Sequence, residues 1–430
     1  MFASFALALL LQVQDPRLSA PPPSLDDAEQ EKAPAPQGPT SFDVGGNKIT
    51  VYGILHMDSY YGTGRFNHTQ FTYYATSPDP AVTPATNDRH NWIDITPRMS
   101  RLGVKVERDS LPFWKDAKLN GVFEFDFQNR ATSEVSGLES ESRELPRLRH
   151  AYMRLASGGF SFLAGQTSDL ISPLFPVANY DGVMWNSGNL GDRRPQLRFG
   201  YDIPISDEAA FTTAIALART GAIDRKNLDG TQPPTALATG DSQRDGDASG
   251  RPMIQARIGL AKLFGKRVDA GLWGHYGWER SEVPIGASAR TRFYTGSIGY
   301  DLKVKILDEL TFAGEIWYGK NLSDVRGGID QGVNTGRGME IASRGGWAEL
   351  MAQLADPYFV AVGVGVDDPR NSSLTAAGQR QHNIAPYIWN KVDFGGGFSV
   401  GAEAIFWATD YLAQETGRAN RYSLFVAWAF

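Results

Sequence analysis

The last ten residues, Arg421-Tyr-Ser-Leu-Phe-Val-Ala-Trp-Ala-Phe430, constrain the fold more than any other stretch of the chain. Tyr422, Leu424, Val426, Trp428 and Phe430 occupy alternate positions, and a β-strand places such a set on one face. A continuously apolar face that ends in aromatics suits the lipid side of a membrane barrel, where rings gather at the interface. The same pattern could also close a soluble β-sandwich. The remainder of the chain has to choose between the two.

Composition permits both. At 430 residues the chain is long enough for one large barrel or for two to three soluble domains. Mean hydropathy is −0.31, and beyond the N-terminus no run approaches the roughly 18 apolar residues of a spanning helix, so a membrane crossing must use strands. Strands that alternate apolar-out with polar-in give a membrane barrel an ordinary soluble composition. The 46 glycines, 23 phenylalanines, 16 tyrosines and 10 tryptophans fit curved strands and aromatic girdles. With no cysteine there is neither a disulfide frame nor a thiolate metal site, and a net charge of −6 speaks against a nucleic-acid partner.

Phe2 to Leu11 has the length of a signal-peptide core, although no Lys or Arg precedes it. We assign residues 1–20 to a signal peptide without a defined cleavage site, 21–46 to a proline-rich, acidic periplasmic linker, and 47–430 to a β-barrel.

From Asn47 the chain divides into sixteen candidate strands, the first at 47–61 and the last at 419–430, joined alternately by short turns and long polar loops. Two hairpins are read as 266–279 with 290–306 and 396–408 with 419–430. Phe123, Phe125 and Phe127 alternate with Glu124, Asp126 and Gln128, and similar alternation marks 358–366 and 398–406. An even strand count with turns on one side and loops on the other is how transmembrane antiparallel barrels are built. Near sixteen strands, side chains no longer fill the interior.

Cost decides which face is wet, because an Arg or Lys on the lipid side near the midplane costs about 2–4 kcal/mol. That places Arg194, Gln196 and Arg198 in the lumen, with Arg101, Lys105, Glu107, Glu124 and Asp126. In 145–154, strict alternation lets either Arg147 and Arg149 or His150 and Arg154 face inward. Choosing Arg147 and Arg149 turns His150 and Arg154 outward, a hint of contact with another protomer. The loop from Ser168 to Asp192 holds Leu170, Ile171, Leu174, Phe175, Val177, Val183, Met184 and Trp185, more apolar surface than a solvated loop needs. It either folds into the barrel and narrows it, setting Asp169, Asp181 or Asp192 opposite the arginines, or caps neighbouring loops or a subunit contact. Constriction is the expectation.

Leu148-Arg-His-Ala-Tyr152, Leu163-Ala-Gly-Gln-Thr167, the loop after them, Arg194-Pro-Gln-Leu-Arg198 and the early Ser100-Arg-Leu-Gly103 are together similar to the DcaP-like outer-membrane porin family. The resemblance implies a trimeric, sixteen-stranded diffusion channel of the bacterial outer membrane. It further implies an inward third loop and an arginine constriction favouring small anionic solutes such as dicarboxylates. Arg101, Arg149, Arg194 and Arg198 match its motifs, and Arg147 joins them by position. The final strand resembles the terminal strand by which the barrel-assembly machinery recognises outer-membrane barrels. The N-terminal linker stands where some members carry a helical coiled coil, so a trimer here would rest on its barrel walls. The implied partners are these solutes, outer-membrane lipids and two further copies of the chain, without cofactor or metal.

Other functions have less behind them. Phosphate channels rely on lysine ladders, and few lysines fall on lumen positions here. A barrel hydrolase would need a nucleophile and a base, yet the chain has no Gly-x-Ser-x-Gly, His-Glu-x-x-His or P-loop pattern among its six histidines, His56, His68, His90, His150, His275 and His382. The chain is therefore read as a channel and not as an enzyme, with no catalytic residue assigned.

Overall fold

The computed structural model describes residues 40–68, 72–78, 91–128, 146–221 and 244–430. The proposed signal peptide, the linker up to residue 39 and parts of the first, second and fourth loops lie outside them. The sheet contains eighteen segments, all paired antiparallel. Two are halves of one strand and one is an added edge segment, which leaves sixteen barrel strands. They are β1 (Asn47–Thr63), β2 (Asn91–Thr96 and Arg101–Arg108), β3 (Lys118–Asp126), β4 (Arg147–Ser157), β5 (Phe160–Ser168), β6 (Arg193–Pro204), β7 (Ala210–Ala218) and β8 (Met253–Lys262). The series continues with β9 (Val268–Ile285), β10 (Arg290–Lys305), β11 (Leu310–Lys320), β12 (Ala342–Ala355), β13 (Tyr358–Pro369), β14 (Arg380–Asp393), β15 (Phe398–Tyr411) and β16 (Gln414–Ala429). Each strand pairs with its neighbours in sequence, and β16 returns to β1 from Ile54↔Ala429 to Thr63↔Asn420. No edge is left open, which is what a sheet in lipid requires.

At the seam, Gly53 and Phe430 exchange two backbone hydrogen bonds of 3.0 Å. Below them Thr40–Val44, within the expected linker, forms a short strand on Asn47–Val51 and continues the line of β16.

The period-two reading of the final strand holds. Leu424 is 63% exposed and Trp428 50%, whereas Arg421 is 0% and Ala427 4%. On β6 the side chains of Leu197, Phe199 and Tyr201 are exposed outward and those of Arg194, Gln196 and Arg198 are buried inward.

Two local features depart from the sequence reading. In β4 the pairing slips between Glu124↔His150 and Phe125↔Leu148, leaving Arg149 as a bulged residue. One extra residue reverses the phase of everything beyond it. Arg147, Arg149, His150, Tyr152 and Arg154 therefore all belong to the inner face, and the outward placement of His150 and Arg154 is corrected. Secondly, β9 and β10 meet through residues 286–289, and β15 and β16 through 412–413. At these two places the connection is a tight hairpin, shorter than the 280–289 and 409–418 left between the expected strands, because strand pairing continues beyond 279 and 408.

The inner wall bends around a recurrent pair. Trp273 lies opposite Gly299, Trp317 opposite Gly345, Tyr387 opposite Gly363, Phe425 opposite Gly401 and Tyr52 opposite Gly103, each in direct cross-strand register. The ring lies flat over the neighbouring strand where a side chain is missing. A Cβ at Gly299 would stand 2.2 Å from the Trp273 ring, and one at Gly401 2.2 Å from Phe425. Glycine on the concave face makes room for curvature, and the aromatic covers the gap it leaves.

Gly299→Val should force Trp273 out of its place, lowering stability by about 1–3 kcal/mol as overpacking does. Heat-modifiable gel migration of the purified barrel checks this, with the variant unfolding at lower temperature than the parent.

Candidate pore constriction

The third loop, residues 169–192, leaves β5 and crosses to the opposite wall inside the barrel. Its backbone amides find acceptors there in sequence. Leu170 N–H donates to Gln255 Oε1 of β8 (2.7 Å), Leu174 N–H to Glu315 Oε1 of β11 (2.8 Å), Val177 N–H to Glu349 Oε2 of β12 (3.0 Å) and Asn179 N–H to Glu403 Oε2 of β15 (2.8 Å). A peptide group withdrawn from water must be paired, and leaving one unpaired costs about 1–3 kcal/mol. On the return path Trp317 Nε1 donates to Gly188 O (2.7 Å) and Trp407 Nε1 to Ser187 Oγ (3.1 Å). The loop backbone touches the wall backbone here, since a Cβ on Gly188 would lie 2.3 Å from Gly346 O.

Apolar packing reinforces these bonds. Ile171 and Leu190 join Trp273, Trp317 and Met253 of the wall with Leu322 and Val325 of the sixth loop (321–341), while Met184 joins Tyr387, Ile405 and Trp407 with Ala75 of the first. Burying a side chain of this size contributes about 1.5–3 kcal/mol. That offsets the positive φ of Ser172, Asn179, Val183, Met184 and Asn186, of which the β-branched Val183 is the most disfavoured. The expected inward loop is thus a packed layer, held additionally by Ser187 Oγ on Tyr73 O (2.6 Å) and by Gly191 N on Val325 O (2.9 Å).

The singled-out arginines occupy three settings. Arg147 grips Asp126 through two hydrogen bonds (2.9 and 2.7 Å), and Arg149 bridges Glu124 and Asp126. Arg194 is fully buried, paired through Nε with Asp169 Oδ1 (2.8 Å) and donating to the carbonyls of Arg219, Gly221 and Asp324. Arg198, 9% exposed, donates to Gln196 Oε1 (3.1 Å) and to Ser168 O. Arg101 differs from all of these. It is partly exposed and lies 4.7 Å over the Tyr180 ring, and among the described residues it makes no ion pair or hydrogen bond.

The loop aspartates are also spoken for. Asp169 meets Arg194, but Asp181 pairs with Arg421 of β16 (3.0 Å) and Asp192 with Arg326 of the sixth loop (3.2 Å). Arg421, Arg326, Gln255 and the three wall glutamates escaped the sequence reading. Arg421 and Glu403 were nonetheless readable as inward members of strands already assigned, since an ion on that face needs a partner. The contact between Arg326 and Asp192 joins two loops and leaves no periodic trace. Among the described residues no three acidic or histidine side chains are placed to hold a metal ion.

No family model matches the chain, and no curated protein matches it. Solved structures do. The outer-membrane channel DcaP of Acinetobacter baumannii superposes with a TM-score of 0.67 at 16% identity, over 90% of this chain and 99% of that one. OmpF of Salmonella typhi gives 0.57 at 12% identity (91% and 100%), and an anion-selective porin from Comamonas acidovorans 0.54 at 11% (89% and 100%). Together with the apolar outer belt, the closed barrel and its inward loop, these likenesses define the class: a sixteen-stranded transmembrane barrel with the porin fold of outer-membrane channels.

Arg194→Met would strand the Asp169 carboxylate in a dry site. Breaking a buried pair from one side costs about 3–5 kcal/mol. Thermal unfolding in detergent should shift down accordingly, and single-channel recordings should become noisier as the base of the third loop loosens.

Proposed function

We propose that the protein is an outer-membrane porin through which small, preferentially anionic solutes, dicarboxylates among them, diffuse past a constriction at the third loop. One observation carries this reading: Arg101, although the Glu124 and Asp126 carboxylates lie close enough to feel its charge, makes no hydrogen bond or ion pair among the described residues and stays partly exposed at the point where Tyr180 of the loop meets the barrel wall. A fixed positive charge in a narrow pore with low-dielectric walls raises the local anion concentration.

Arg147, opposite Asp126 like Arg101, is a further partly exposed inward cation and engages Asp126, while Arg149 engages Glu124; nearer the turns Lys105 pairs with Glu107. Within the proposal the five arginines divide their work. Arg101 faces the solute, while Arg147, Arg149, Arg194 and Arg198 set the position of wall and loop. The structural neighbour whose name includes anion selectivity is in keeping with this, and the homotrimer implied by the family resemblance belongs to the same proposal. With His150 and Arg154 on the inner face, no outward polar pair of β4 supports it.

Replacing Arg101 by Gln should lower the anion-to-cation permeability ratio in planar bilayers several-fold without changing thermal stability. An unchanged reversal potential across a salt gradient would end the charge-filter reading.

A further inference from the structure

Between the third loop and the short turns, the lumen keeps a largely apolar cavity of ≈ 250 Å³. Four rings from four separate elements run along it nearly parallel. Tyr180 of the loop stacks on His56 of β1 (centroids 5.1 Å apart, planes at 11°), His56 on Phe425 of β16 (5.7 Å, 17°) and Phe425 on Trp389 of β14 (6.2 Å, 19°). Gly401 of β15 lets the Phe425 ring lie across that strand to reach Trp389.

Wall packing alone does not account for this row. At three of the other pairs of aromatic and glycine the rings are sealed, Trp273 at 2% exposure and Trp317 and Tyr387 at 4%. Tyr180, Phe425 and Trp389 stay partly open and line the cavity. Lys303 and Lys391 line it as well, Lys391 with its ammonium 3.4 Å from Asp393. Of the four carboxylates on its border, Glu349 accepts from Val177 N–H and the Tyr387 hydroxyl, Glu403 from Asn179 N–H and Arg421, Asp181 pairs with Arg421, and Asp58 meets His56 through one oxygen.

We propose that this cavity is a solute subsite for aromatic carboxylates. The planar ring stacks on the Phe425–Trp389 face and the carboxylate lies on the side of Lys303 and Lys391. The volume is below the about 300–1,000 Å³ of drug-sized pockets, so the site takes a single ring. The assignment rests on the anion-channel reading and narrows it: charge admits the solute, and ring faces retain it on the far side of the constriction.

The test uses the full-length protein in planar bilayers, with benzoate and cyclohexanecarboxylate as blockers of equal charge and similar girth. Ring stacking worth about 0.5–1.5 kcal/mol predicts that benzoate interrupts the current at roughly two- to tenfold lower concentration. Phe425→Leu with Trp389→Leu should erase that difference and leave the reversal potential where it was. Equal blocking by the two acids in the parent protein overturns the subsite without requiring any variant to fold, and so does a ring preference that survives the double substitution. A parent channel lacking anion preference, blocked as well by benzylammonium as by benzoate, would instead overturn the reading on which the subsite rests.

Discussion

The arrangement depends on glutamates of the inner wall that accept hydrogen bonds from the main chain of the third loop. A loop drawn into a barrel loses water from its peptide groups, and the wall must replace it. Glu315, Glu349 and Glu403 do so at successive points along the loop, on strands β11, β12 and β15. These carboxylates are consumed by the fold, which makes an acidic inner wall compatible with the proposed anion channel. The same logic applies to most of the arginines. Arg194, Arg149 and Arg421 sit in tight pairs that fix geometry, and a solute meets the charge left over.

Curvature supplies the second constraint. A sixteen-stranded wall must bend without opening gaps, and cross-strand pairs of an inward aromatic with an inward glycine achieve both. On β16 the same device, Phe425 over Gly401, leaves its ring partly accessible in the proposed subsite.

Much of this was legible in the sequence. Strand number, closure and the faces of β6 and β16 follow from period-two alternation and from the cost of a guanidinium in lipid, as Arg194-Pro-Gln-Leu-Arg198 illustrates. Apolar residues such as Ile171 and Met184 already placed the third loop inside. The face of β4 was not legible, because the bulge at Arg149 changes the phase and nothing in Leu-Arg-His-Ala-Tyr announces a bulge. The extents of the β9–β10 and β15–β16 hairpins were missed because polar residues at a barrel rim look like loop. Contacts between loops, such as Arg326 with Asp192, depend on how distant segments meet in space, and no local pattern encodes them.

Amide hydrogen exchange of the purified barrel tests the central claim most directly. If wall carboxylates hold the third loop, the amides of Leu174, Val177 and Asn179 will exchange as slowly as those of the strands around them. Exchange at the rate of an open surface loop would contradict the account.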